Sequence, residues 1–98
     1  MDMNFKNAGN ELTVELSGRL DTSTSPDLEK ELSTRLDGIQ SLIYDFKDLD
    51  YISSAGLRVV LATQKTMNKN GSMKLINVNE SIMEILEVTG MVDILTIE

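Results

Sequence analysis

The period of the hydrophobic positions changes as this chain advances, and the changes mark out its elements. Met3 and Phe5 alternate with Asn4 and Lys6, which predicts a short strand over residues 3–7. The cluster Asn7-Ala8-Gly9-Asn10 then predicts a turn and a hairpin. From Glu11 to Ser17, Leu12, Val14 and Leu16 fall on one face and Thr13, Glu15 and Ser17 on the other, as in a strand with one wet side. Gly18 to Thr24 reads as a polar connection. A helix follows, with Ser25 as its N-cap, Pro26 at its first position, and Asp27 and Glu29 near the positive end of its dipole. Leu28, Leu32 and Leu36 give it a buried stripe, and Asp37-Gly38 ends it.

Ser41 to Phe46 is almost continuously apolar, the pattern of a strand covered on both faces, and an acidic turn follows it. A second helix is predicted from Ser54 to Asn68, with Leu57, Val60, Leu61 and then Gln64 or Met67 inward and Asn70-Gly71 as its stop. Ser72 to Val78 predicts a further strand. Ser81-Ile82-Met83-Glu84 reads as a capping box for a third helix, with Ile82, Ile85 and Leu86 inward and Thr89-Gly90 at its end. Val92 to Ile97 predicts a last edge strand. The order predicts one α/β domain over residues 1–98. Its mixed sheet has an N-terminal antiparallel hairpin, a parallel core and three to four helices. If the second and third strands are parallel neighbours, the loop after Ser17 and the loop before Ser54 share one rim, where open α/β sheets place their sites. That geometry puts Asp21 and Ser54 together.

The stretch that organises the rest runs from Asp45 to Arg58: Asp-Phe-Lys-Asp-Leu-Asp-Tyr-Ile-Ser-Ser-Ala-Gly-Leu-Arg. Helix starts favour Ser because its hydroxyl accepts a bond from an otherwise unpaired backbone N–H. One serine suffices for that. With Ser53 as the cap, Ser54 stands at the first helical position with a free, outward hydroxyl. Gly56 falls in the first turn, where Gly costs about 1 kcal/mol relative to Ala, so something is expected to come close to this backbone. Taken alone, the stretch also fits a redundant cap and an incidental glycine.

The run Tyr51-Ile52-Ser53-Ser54-Ala55-Gly56-Leu57-Arg58, following an aspartate-ended strand, resembles the signature of STAS domains, most of all the bacterial anti-sigma factor antagonists. In that family an Asp-Ser-Ser/Thr/Ala-Gly-Leu run opens a helix, and the serine after the aspartate is phosphorylated. The resemblance implies that Ser54 is the phospho-acceptor and that Gly56 and Leu57 match the family glycine and leucine. The family aspartate falls on Ser53, which keeps the capping function but removes a negative charge. Gly18-Arg19-Leu20-Asp21 resembles the family's Gly-x-Leu-Asp after its second strand, which implies that Asp21 lies near the phosphoserine.

Partner switching is the function this resemblance implies. The unmodified chain would bind an anti-sigma factor that is also a serine kinase and so release a sigma factor. Phosphorylation of Ser54 would end the binding, and a PP2C-type serine phosphatase would restore it. The expected binding patch is Asp21, Thr22, Ser53, Ser54, Gly56, Leu57 and Arg58, with Leu57 open between partner contact and core. An alternative is a STAS domain acting as a structural or scaffold subunit of a transport or sensory complex, with Ser54 only a cap.

Composition narrows the chemistry further. There is no cysteine, which excludes disulfides and thiolate catalysis, and no histidine, the commonest general base and metal ligand. Net charge is −7 with no basic cluster, so nucleic acid and anionic membrane are disfavoured as partners. No secretory signal is apparent, and no apolar run approaches the roughly 20 residues a membrane helix needs, so a soluble cytoplasmic domain is expected. The six methionines read as core filler. Asp45, Asp48 and Asp50 invite a metal or a receiver-like phospho-aspartate. A receiver, however, needs an acidic pair after its first strand, where this chain has Ala8-Gly9-Asn10. Phosphate-cradling glycine motifs are absent. The chain is expected to be a substrate of enzymes, with no cofactor and no catalysis of its own.

Overall fold

A computed structural model describes residues 1–98. The elements are β1 (Asp2–Ala8), β2 (Glu11–Leu20), α1 (Ser25–Arg35), β3 (Ser41–Ile52), α2 (Ser54–Asn70), β4 (Ser72–Ile76), α3 (Glu80–Val88) and a 3₁₀ turn (Met91–Asp93). The sheet runs β1-β2-β3-β4, with β1 antiparallel to β2 and the other neighbours parallel. Hairpin, parallel core and three α-helices are thus as the periodicity predicts.

Register aligns the apolar positions across the sheet: Leu12, Leu42 and Met73 form one row, and Val14, Tyr44 and Leu75 the next. These residues and the inner sides of all three helices make one cluster of 21 buried hydrophobic residues. The opposite face of the sheet carries Asn4, Glu15, Asp45 and Lys74 and has no helix over it. This corrects the expectation that the third strand is covered on both faces: Leu42, Tyr44 and Phe46 are buried, while Ile43 and Asp45 are only half-buried. One-sided burial restores the alternation of a half-wet strand.

Both central strands are longer than predicted. β2 continues through the run read as a connection, because Leu20 returns to the core face and is fully buried there. The irregular pairing at Glu15/Ser17 and Gly18/Arg19 sets two extra residues of β3 against this end of β2, so the core positions of β3 step from Phe46 to Leu49 and Ile52 while β2 keeps the alternation of Leu12, Val14 and Leu16. β3 likewise runs through the supposed acidic turn to Ile52, with Leu49 and Ile52 anchored in the core. Asp45 therefore does not end its strand.

Helix boundaries shift for local reasons. Thr24 holds the cap position of α1 without a side-chain cap, and Ser25 is buried inside the helix with its hydroxyl donating to the Asp21 carbonyl. In α2, Leu61 is only half-buried, while Val59 and Thr63 are buried. Packing of α1 against α2 widens the covered stripe to that side. The Thr63 hydroxyl donates to the Val59 carbonyl at 2.7 Å, which leaves its oxygen to accept from the buried Tyr44 hydroxyl at 2.9 Å. α3 starts earlier than the capping box predicts. Asn79 is its cap, accepting from the Ile82 N–H at 2.9 Å, and its amide donates to the Leu49 carbonyl at 2.8 Å. The last edge strand reduces to a single parallel bridge, Leu75 to Ile97, since the turn at Met91–Asp93 uses up the preceding residues.

Candidate functional site

β2 and β3 end together, and that shared end builds the site. Leu20 pairs with Ile52, and the Ser53 N–H extends the pairing by donating to the Leu20 carbonyl at 2.9 Å. The residues that follow, Asp21 on one strand and Ser53-Ser54 on the other, therefore leave the same rim. Ser53 has extended backbone and caps α2, its Oγ accepting from the Gly56 N–H at a long 3.4 Å. Ser54 is the first helical residue. Its side chain is exposed and its hydroxyl has no hydrogen-bond partner in the chain.

Gly56 has an internal explanation. A Cβ there would lie 2.8 Å from the Leu20 carbonyl oxygen, 2.8 Å from Leu20 Cγ and 2.9 Å from Ile52 Cγ1. The backbone that comes close is the chain's own, the end of β2. Leu57 is turned inward and belongs to the core cluster. Thr22 is exposed in the loop after β2. Arg58 is exposed on α2 and makes neither an ion pair nor a hydrogen bond.

Asp21 is tied into its own turn. Its Oδ1 accepts from the N–H groups of Ser23 at 3.0 Å and Thr24 at 3.2 Å, and from the Thr24 hydroxyl at 3.3 Å. The Thr24 backbone N–H, followed by the Ser23 backbone N–H, the Thr24 hydroxyl and the Arg19 charge, holds this carboxyl below the usual carboxylate range. No hydrogen bond joins Asp21 to Ser54.

Two residues outside the sequence-derived patch share the rim. Arg19 and Tyr51 are register partners on the open face, with the guanidinium 4.3 Å from the ring centroid and Arg19 Nε 3.8 Å from Asp21 Oδ2. Tyr51 is among the few large hydrophobic residues left exposed. Their only sequence signal is an aromatic two residues before the serines and a cation two before Asp21, and pairing them requires the strand register.

The acidic residues make no metal centre. Asp45 Oδ1 accepts from the Lys47 N–H and the Asn77 side-chain amide, both at 3.0 Å. Asp48 and Asp50 are spread along the extended strand, and no group of three acids is placed to hold an ion. What the rim offers is a free hydroxyl at a helix start, with Asp21 and Ser53 beside it committed to local bonds and Arg58 free.

No helix is long and apolar enough to cross a membrane. The STAS domain family matches residues 2–98. The chain is 31% identical to the anti-sigma-B factor antagonist of Bacillus subtilis over 98 residues, covering 99% of this chain and 90% of that protein. It is 31% identical to the anti-sigma-B factor antagonist of Staphylococcus aureus over 84 residues, 84% of this chain and 78% of that protein. Among solved structures, the anti-sigma factor antagonist SpoIIAA in its unphosphorylated form superposes with a TM-score of 0.78 at 16% identity, over 99% of this chain and 87% of that one, and supports the fold. With the rim motif, the sheet order and these relatives in agreement, the chain belongs to the STAS domain family, alongside its anti-sigma factor antagonists.

Proposed function

We propose that this chain works by partner switching, as a cytoplasmic binding protein and not as an enzyme, with Ser54 as the phospho-acceptor. Unmodified, it binds an anti-sigma factor that is also a serine kinase, and a sigma factor is released. The kinase transfers the γ-phosphoryl group of ATP to Ser54 Oγ, which gives up its proton as ADP leaves. A PP2C-type serine phosphatase hydrolyses the ester and restores the binding form. The observation that carries this reading is the division of labour at the helix start: Ser53 caps α2, and the Ser54 hydroxyl is exposed and unbonded.

The physics of the switch follows from where the charge lands. A phosphate at Ser54 adds about −1.5 to −2 charges at neutral pH. In the free protein that charge stays in water at the positive end of a helix dipole. In the complex it must be desolvated against the partner, and an uncompensated buried charge costs several kcal/mol, where each 1.4 kcal/mol is tenfold in affinity. The partner-binding surface is assigned to Asp21, Thr22, Ser53, Gly56, Leu57 and Arg58 around Ser54, with Gly56 and Leu57 shaping it from beneath. The test is binding of Ser54→Ala and Ser54→Asp variants to the host's anti-sigma factor kinase, with mapping of phosphate after incubation with ATP. Tight binding by Ser54→Ala, loss of at least tenfold by Ser54→Asp and acid-stable phosphate on Ser54 are expected. Equal binding by both variants would sink the switch.

A further inference from the structure

Arg58 lies four residues after Ser54 on α2, and both side chains are exposed. The ion pairs of the chain use Lys6, Arg19, Arg35 and Lys74, which leaves Arg58 uncommitted. Its neighbours three and four positions away along the helix are Ser54, Ala55, Leu61 and Ala62, none of them charged. Helical side chains lean toward the N-terminus, so the Arg58 stem covers the turn that begins at Ser54. Four residues rise only about 6 Å, within the span of an arginine.

Resting on Ser54 as the phospho-acceptor, we infer that its phosphate is captured in cis by Arg58, so that modification withdraws this arginine from the partner as it adds charge. An acid placed four residues before a base is the favourable order on a helix. The guanidinium fork also suits phosphate oxygens better than an ammonium does. In the unmodified chain Arg58 is free to meet a carboxylate or carbonyl of the partner. Other charges on the rim are differently placed. Asp21 is held by Ser23, Thr24 and Arg19. Arg19 itself stacks on Tyr51 at the open face. Asp50, exposed near the end of β3, forms no ion pair with Arg58.

The experiment is a phosphorus-31 NMR titration of the full chain carrying genetically encoded phosphoserine at position 54, with Arg58→Gln, Arg58→Lys and Arg19→Gln variants. The second phosphate pKa is expected below its ordinary value of about 6, and Arg58→Gln should raise it by about 0.2–0.4 of a unit. Arg58→Lys should keep part of the effect, and Arg19→Gln should change nothing. The same pKa in the parent and in Arg58→Gln overturns the capture. So does an equal shift from Arg19→Gln, which would mark a diffuse field. No partner is needed, so this result stands apart from the partner-switching reading, which fails only if Ser54→Ala and Ser54→Asp bind alike.

Discussion

Two adjacent serines at the head of α2 have different neighbours and therefore different chemistry. Ser53 is half-buried and spends its oxygen on the Gly56 N–H, whereas Ser54 spends its oxygen on nothing. Asp21 shows the opposite economy: all its short bonds are to its own loop. Its folded pKa is lowered, first by the Thr24 backbone N–H. Its contribution to stability is therefore fully present above the unfolded-state value of about 3.9 and is lost as pH falls through the folded value. Replacing it with Asn should flatten the acid limb of the stability curve, because the side chain no longer titrates. Urea midpoints of the parent and Asp21→Asn between pH 3 and 6 check this, and parallel curves would show that the loop does not favour the ionised form.

At the scale of elements, the strand-to-helix joint is held by contact between backbones. The end of β2 lies so near the first turn of α2 that position 56 has no room for a methyl group. Gly56→Ala should therefore destabilise the protein by about 1–3 kcal/mol through overpacking, even though Ala is the better helix former by about 1 kcal/mol. Chemical denaturation measures the sign directly, and an unchanged or raised midpoint would mean that β2 yields without cost. The same joint explains why the site is rigid. Ser53 is tied to Leu20 through its N–H, so the two loops of the rim cannot separate without breaking a sheet bond.

At the scale of the molecule, three helices on one side of the sheet bury a single core and leave the rim at the edge of it. A charge added at Ser54 enters no part of that core. Phosphorylation should leave the fold intact and raise the melting temperature by no more than about 8 °C, the equivalent of a favourable helix-terminus interaction of about 0.3–1 kcal/mol. Calorimetry and a backbone amide spectrum of the phosphorylated chain test this. A sharp fall in melting temperature, or shifts throughout the spectrum, would show that the switch works by refolding.

Periodicity alone determined the order of elements, the α/β class and the inward faces of β2, α1 and α3, because these depend on local spacing of apolar side chains. It also placed Ser53 and Ser54 at a helix start, since capping is a local property. Tertiary structure decided what spacing cannot carry. Leu20, Leu49 and Ile52 extend their strands through polar sequence because core burial outweighs local turn preference. β3 looks two-sided in sequence, yet only packing reveals that no helix covers its second face. Arg19 and Tyr51 meet because register, set across the sheet, brings together side chains 32 positions apart in the chain. Gly56 reads in sequence as a place for a visitor's close approach, yet it is the end of β2, at Leu20, that packs against it.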